Sequence, residues 1–180
     1  ELAAQAEGDE LEQGMALLDE LCALAERDTR EDCGADALCI GVKCGGSDGM
    51  SGLTANPLVG RIAEQVVAHG GRAVLTEIPE AFGAENVLLQ RVVSREVFDA
   101  TAAIFNEFRR YFTAHGEPLH ENPSPGNIAG GITTLEEKSL GAVQKGGRAP
   151  VTAALRYGER VSIPGLAVLE APGNDAVSST

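Results

Sequence analysis

Apolar residues at Leu11, Met15, Leu18, Cys22 and Ala25 recur in steps of three and four, which predicts one face of a helix. Residues 28–36 are charged and turn-like, and the apolar run from Ala37 to Val42 predicts a buried strand. A glycine-rich turn, Lys43 to Pro57, leads into an amphipathic helical pattern from Leu58 to His69. Asn56-Pro57 supplies its N-cap and first helical residue, Ile62, Val66 and Val67 line it, and Gly70-Gly71 end it. Ala73 to Thr76 reads as a second strand, so strand, helix and strand form a right-handed βαβ unit.

Another helix is expected from near Ala81. A longer one follows, with Val97, Thr101, Ile104, Phe105, Phe108 and Phe112 on the face that covers the sheet. Its Glu107, Arg109 and Arg110 read as solvated charges. Residues 116–134 show no helical or strand period, yet Ile128, Ile132 and Leu135 are apolar, which predicts a rigid loop. Thr134 and Glu137 can then form a capping box for the next helix. Leu166 to Leu169 is the third predicted strand. The fold class is α/β, with a mostly parallel sheet flanked by helices.

Composition narrows the picture. At 180 residues and 43% hydrophobic the chain is about one domain with a real core, built from Ala, Val, Leu and Ile because aromatics are only 4%. A net charge of −13 argues against nucleic acid and against an anionic membrane surface as partners. No apolar run long enough to span a membrane and no leader-like start is found. The four cysteines, Cys22, Cys33, Cys39 and Cys44, lack paired zinc spacing and suggest a reducing cytoplasm. An opening Glu1 and a stop just after a loop read as a piece of something longer.

Candidate chemistry gathers where strands end, because ligands in open α/β sheets collect beyond the strands' carboxyl ends. The turn after the first strand carries Cys44, Gly45, Gly46, Ser47 and Asp48 ahead of a helix N-terminus, an arrangement suited to anions, polyols or a metal. It is neither a P-loop, since no lysine follows the glycines, nor a dinucleotide fingerprint, since Gly46, Gly49 and Gly52 are spaced three apart. Glu77 and Glu80 close the second strand as metal ligands or an acid/base pair, with solvated turn charges as the plainer reading. The long loop offers Glu121, Asn122, Ser124 and Asn127, with His120 read as a surface residue. Lys138 begins the following helix as a substrate-carboxylate partner, a base or a surface lysine. Asn174 and Asp175 follow the third strand.

Several of these stretches together resemble one family. They are Cys44 to Asp48 with Thr54 to Pro57, Leu75 to Glu80, Glu121 to Asn127, and Gly130 to Glu136. In order along the chain they resemble the altronate/galactarate dehydratase family, with Phe82 to Glu85 and the Glu121–Asn127 loop pointing to its altronate branch. The resemblance implies that residues 1–180 are the central part of a C-terminal, Rossmann-like domain. It implies a lyase that removes water from a sugar acid with a divalent metal, iron(II) or alternatively manganese(II). On it, Cys44, Glu77 and Glu121 are the expected metal ligands. Gly46, Ser47, Asp48, Asn127 and Asn174 are the expected substrate-binding residues, and Lys138 or Glu80 is the expected base. The expected partner is a small-molecule sugar acid, and a homodimer is left open. The rival reading is a non-catalytic module that binds sugar acids or anions, or a related lyase acting on galactarate or a sulfonated hydroxy acid.

Overall fold

The structure is a computed structural model that describes residues 9–119 and 122–171. The chain divides into two compact units, Glu1–Cys33 and Gly34–Thr180. In the first, helix α1 (Glu10–Ala25) starts where the Asp9 carboxylate accepts the N–H groups of Leu11 and Glu12. That is the capping that a short acidic side chain provides for a helix's free first donors.

The second unit is built on four strands, β1 (Cys39–Val42), β2 (Arg72–Leu75), β3 (Val151–Leu155) and β4 (Gly165–Leu169). They lie in the order β1-β2-β4-β3, and each neighbouring pair is parallel. Parallel neighbours need crossover connections, and here helices supply them. The helices are α2 (Ala55–Ala68), α3 (Glu85–Leu89), α4 (Arg95–Ala114), α5 (Pro125–Ala129) and α6 (Leu135–Gln144). The α/β reading therefore holds.

Alternation along the strands divides the core. Ala73, Leu75, Leu166 and Val168 pack with Ala63 of α2, Ile104 and Phe105 of α4, and Val143 of α6. Val74, Ala167 and Leu169 form a second cluster with Ala171. Fully burying one of the larger side chains contributes roughly 1.5–3 kcal/mol. On α4, Thr101, Ile104 and Phe105 are buried, and Val97 and Phe108 pack against that core as their spacing predicts.

The structure departs from the sequence pattern in five places. β1 is an edge strand with only Val42 buried, so the expected burial of the whole run is incorrect. β3 was not predicted: Val-Thr-Ala-Ala-Leu has few β-branched residues, and its pairing with β4 makes it a strand. The N-cap of α2 is Thr54, which puts Asn56 inside the first turn as a buried residue. The long loop contains α5, opened by a capping box in which the Ser124 and Asn127 side chains each accept the other's backbone N–H. At α6, Thr134 caps Glu137 as expected, but the Glu137 carboxylate bonds the N–H and hydroxyl of Thr133 instead of closing the box.

Candidate functional site

The carboxyl ends of β1 and β2 open onto the turn 43–54 and the residues 76–81. Glu77 directs the second of these. It is 3% exposed and sits in the left-handed region at φ 62°, unusual for a residue with a Cβ. Strain of that kind, of order 1–3 kcal/mol, persists only where surrounding contacts enforce it. The Glu77 carboxylate accepts the backbone N–H of Cys44, tying the two strand ends together. Beyond it, a short 3₁₀ turn, Ile78–Ala81, presents Glu80.

Helix α6 packs against that 3₁₀ turn and delivers two lysines. Lys138 is 4% exposed, and its ammonium meets three acceptors. Cys44 Sγ lies at 3.3 Å, Asn127 Oδ1 at 3.0 Å and Glu80 Oε2 at 3.0 Å. The direction to Glu80 leaves that buried oxygen without an aligned hydrogen bond. Burial disfavours the ammonium, but Glu80 and Cys44 outweigh it, so Lys138 is held above the ordinary lysine value. An amine so held is a fixed cation. Its three acceptors suit a positive charge held beside Cys44.

Lys145 is the residue that sequence reasoning missed. It follows α6 and is 6% exposed, and it lines a cleft with Glu77, Glu80, Thr76 and Lys43. Burial pushes its ammonium below the ordinary value, and the like charge of Lys138 adds to this, against the pull of Cys44, Glu77 and Glu80. No ion pair joins it to a described residue. In the sequence it is one cation at a helix end, where lysine is common for its favourable interaction with the helix dipole.

The acids respond to the same surroundings. Burial pushes the Glu77 carboxyl up, and the Glu80 charge pushes it further. Burial also opposes a Cys44 thiolate, but the Ser47 hydroxyl, the Gly46 N–H and the Lys138 ammonium together bring the thiol below its ordinary value. Cys22, Cys33 and Cys39 are exposed free thiols.

The glycine turn and the long loop meet, as the sequence suggested. Asn127 Nδ2 donates to the Ser47 carbonyl at 2.9 Å, and the Gly49 N–H donates to the Gly130 carbonyl at 2.9 Å. Asn127 Oδ1 also accepts from the Ser124 hydroxyl at 2.9 Å and from Lys138. Both ends of this amide are engaged by protein, so here it latches the loop to the turn and steadies Lys138. Asp48 serves the turn itself: its carboxylate accepts from the Ser51 hydroxyl and from the Met50 and Ser51 N–H groups, which hold its pKa below the usual range. The Ser47 hydroxyl faces Cys44 Sγ at 3.5 Å. Glu121 and Asn174 lie outside the described residues.

Gly46 has a φ of 94°, with nothing within 4 Å of the position a Cβ would take. Its requirement is therefore conformational, not steric. Gly46→Val is expected to cost roughly 1–2 kcal/mol and to disorder the Cys44 environment while the sheet still forms. Urea unfolding with circular dichroism measures this. Gly45→Ala is the control, because Gly45 has neither a positive φ nor a close neighbour.

For a divalent metal the donor chemistry is suitable. Cys44 offers sulfur, Glu77 and Glu80 offer oxygen, and the buried Glu80 Oε2 lacks an aligned partner. Among the described residues, however, no group of three or more His, Cys, Asp or Glu side chains converges as a metal site. A complete ligand set needs a further group from outside them, which is where Glu121 stands.

Comparison with known proteins matches residues 35–180 to the C-terminal domain of D-galactarate/altronate dehydratases. The chain is 54% identical over 179 residues to an altronate dehydratase of Bacillus subtilis and 50% identical over 179 residues to that of Escherichia coli. Each alignment covers 99% of this chain and 36% of the relative. It is also 33% identical over 172 residues to the L-threo-forming galactarate dehydratase of Escherichia coli, covering 92% of the chain and 33% of that protein. The chain thus spans about a third of the length of the curated relatives it matches. Since the family's C-terminal domain takes in the whole Cys44–Lys145 cluster, and the identity runs along nearly the full chain, the chain belongs to the D-galactarate/altronate dehydratase family.

Proposed function

We propose that the protein carrying this chain is a hydro-lyase that converts a sugar acid, D-altronate, to 2-keto-3-deoxy-D-gluconate. The observation that carries the reading is the buried pair of lysines facing Cys44, Glu77 and Glu80 at the sheet's carboxyl edge, in a chain half identical to altronate dehydratases. β-Elimination of water from an aldonate begins with loss of the weakly acidic proton α to the carboxylate. That step needs a neutral base beside a positive charge that stabilises the enediolate. Lys145, whose burial favours the neutral amine, takes the proton at Nζ. Lys138, kept protonated by Glu80 and Cys44, supplies the charge. The Lys145 ammonium then returns a proton to the β-hydroxyl as the C–O bond breaks, water leaves, and the enol becomes the 2-keto acid.

Iron(II), or manganese(II), is the cofactor that suits this donor set, held by Cys44 and Glu77 with Glu121 as the expected third ligand. When bound it supplies Lewis-acid stabilisation of substrate oxygens. Glu77→Gln is expected to lower bound metal and turnover together, with metal content measured on anaerobically purified protein. Normal metal with normal activity in that variant removes Glu77 from the ligand set.

A screen of sugar acids for 2-keto-3-deoxy product tests the function. Product from altronate supports it, product from galactarate alone moves the substrate within the family, and binding without product leaves the non-catalytic module.

A further inference from the structure

Asn56 is 5% exposed, yet its carboxamide makes no hydrogen bond to any described residue. The amide nitrogen and oxygen are not sealed within the core but reach the adjoining space, where two N–H groups and two lone pairs stand open to a ligand or to water. The side chain lines a cavity of about 30 Å³ together with Ser47, Ser51, Ile132, Lys138 and Gly141. By volume it admits a hydroxyl-bearing carbon or roughly two waters.

The other polar groups of that wall are engaged within the protein. Asp48 and Ser51 bind each other, Glu137 binds Thr133, and Lys138 has its three acceptors. Of the polar side chains among the described lining residues, Asn56 is the one without a hydrogen bond to protein, while the Ser47 hydroxyl has only its 3.5 Å contact with Cys44 Sγ. Its place depends on Gly141, within α6, where a Cβ would come 3.0 Å from Asn56 Nδ2. A helix-interior glycine is unfavourable relative to alanine, and here it leaves room for the amide. The cavity adjoins the reacting cluster, sharing with it Ser47, next to Cys44, and Lys138.

We propose that Asn56 is a specificity-determining residue that binds a hydroxyl of the substrate's polyol chain, away from the carbons that lose water. A hydroxyl both donates and accepts, as the carboxamide does, whereas a carboxylate would leave the amide oxygen unpaired. The inference rests on the sugar-acid reading above and assigns one wall of that site to recognition instead of chemistry.

The test compares kcat/KM of wild type, Asn56→Ala, Asn56→Asp and Gly141→Ala on altronate and on the 4-, 5- and 6-deoxy analogues. Asn56→Ala is expected to lose on the order of 10- to 100-fold on altronate. On the one analogue that lacks the recognised hydroxyl, its loss is expected to be no more than about threefold. Gly141→Ala, which displaces the amide, is expected to give the same pattern. Asn56→Asp, nearly isosteric, keeps the comparison available if the alanine variant folds poorly. Equal losses on altronate and every analogue make Asn56 a structural residue, and no loss on any makes it a water site; either result overturns the inference while the lyase reading stands. A wild-type protein that turns over no sugar acid overturns both.

Discussion

Lys145→Met is expected to lower kcat by about 10²- to 10⁴-fold, the usual contribution of a general base, with fold and metal content unchanged. Methionine matches the lysine stem in length and removes the amine. Because an unpaired buried ammonium is costly, stability should hold or rise. The sign of the pH dependence follows from the surroundings. A base must be neutral, so wild-type kcat/KM rises with pH through the Lys145 pKa, which burial and Lys138 bring below the ordinary 10.5. Cys44, Glu77 and Glu80 face the same amine and limit how far it falls. Lys145→Arg, which stays charged, should be inactive across the range and lack this rising limb. Wild-type kcat in Lys145→Met would transfer the base role to Glu80.

Lys138→Met should be the most destabilising single change at the site. Its side chain is 3% exposed and that of Glu80 20%, so removing the ammonium strands a largely buried carboxylate and leaves Cys44 without its cation. Breaking a buried pair in this way costs about 3–5 kcal/mol, and the partial exposure of Glu80 sets the expectation at about 3 kcal/mol. The urea midpoint measures it. Since the folded-state pKa of Lys138 is raised, its stabilisation is fully present below 10.5 and is lost as pH rises through the higher folded value. The gap between wild type and variant should therefore persist at neutral pH and close only in strong alkali. Adding Glu80→Gln to Lys138→Met should recover part of the loss, because the stranded charge is then gone.

The sequence by itself determined the elements whose signals are local. The apolar faces of α1, α2 and α4, the strands β2 and β4, and the glycine turn follow from periodicity and turn chemistry, and so does the placing of Cys44, Glu77 and Glu80 at strand ends. It also brought the 43–54 turn and the 116–134 loop to one site, and their contact through Asn127 and Ser47 is present. What the tertiary structure decided was the surroundings of each side chain. Asn127, expected from the sequence to bind substrate, has both ends bound to protein because α5 turns it towards Ser47 and Lys138. Asn56 reads as an N-cap until Thr54 takes that position and α6 packs over it. β3 exists through its pairing with β4, not through its alanine-rich composition. Lys138 and Lys145, seven positions apart on and just beyond one helix, look alike in sequence. Packing gives Lys138 three acceptors and Lys145 a buried cleft without an ion pair to a described residue, so their proton affinities move in opposite directions. Burial and partners set the energy of a charge, and both come from residues distant in the chain.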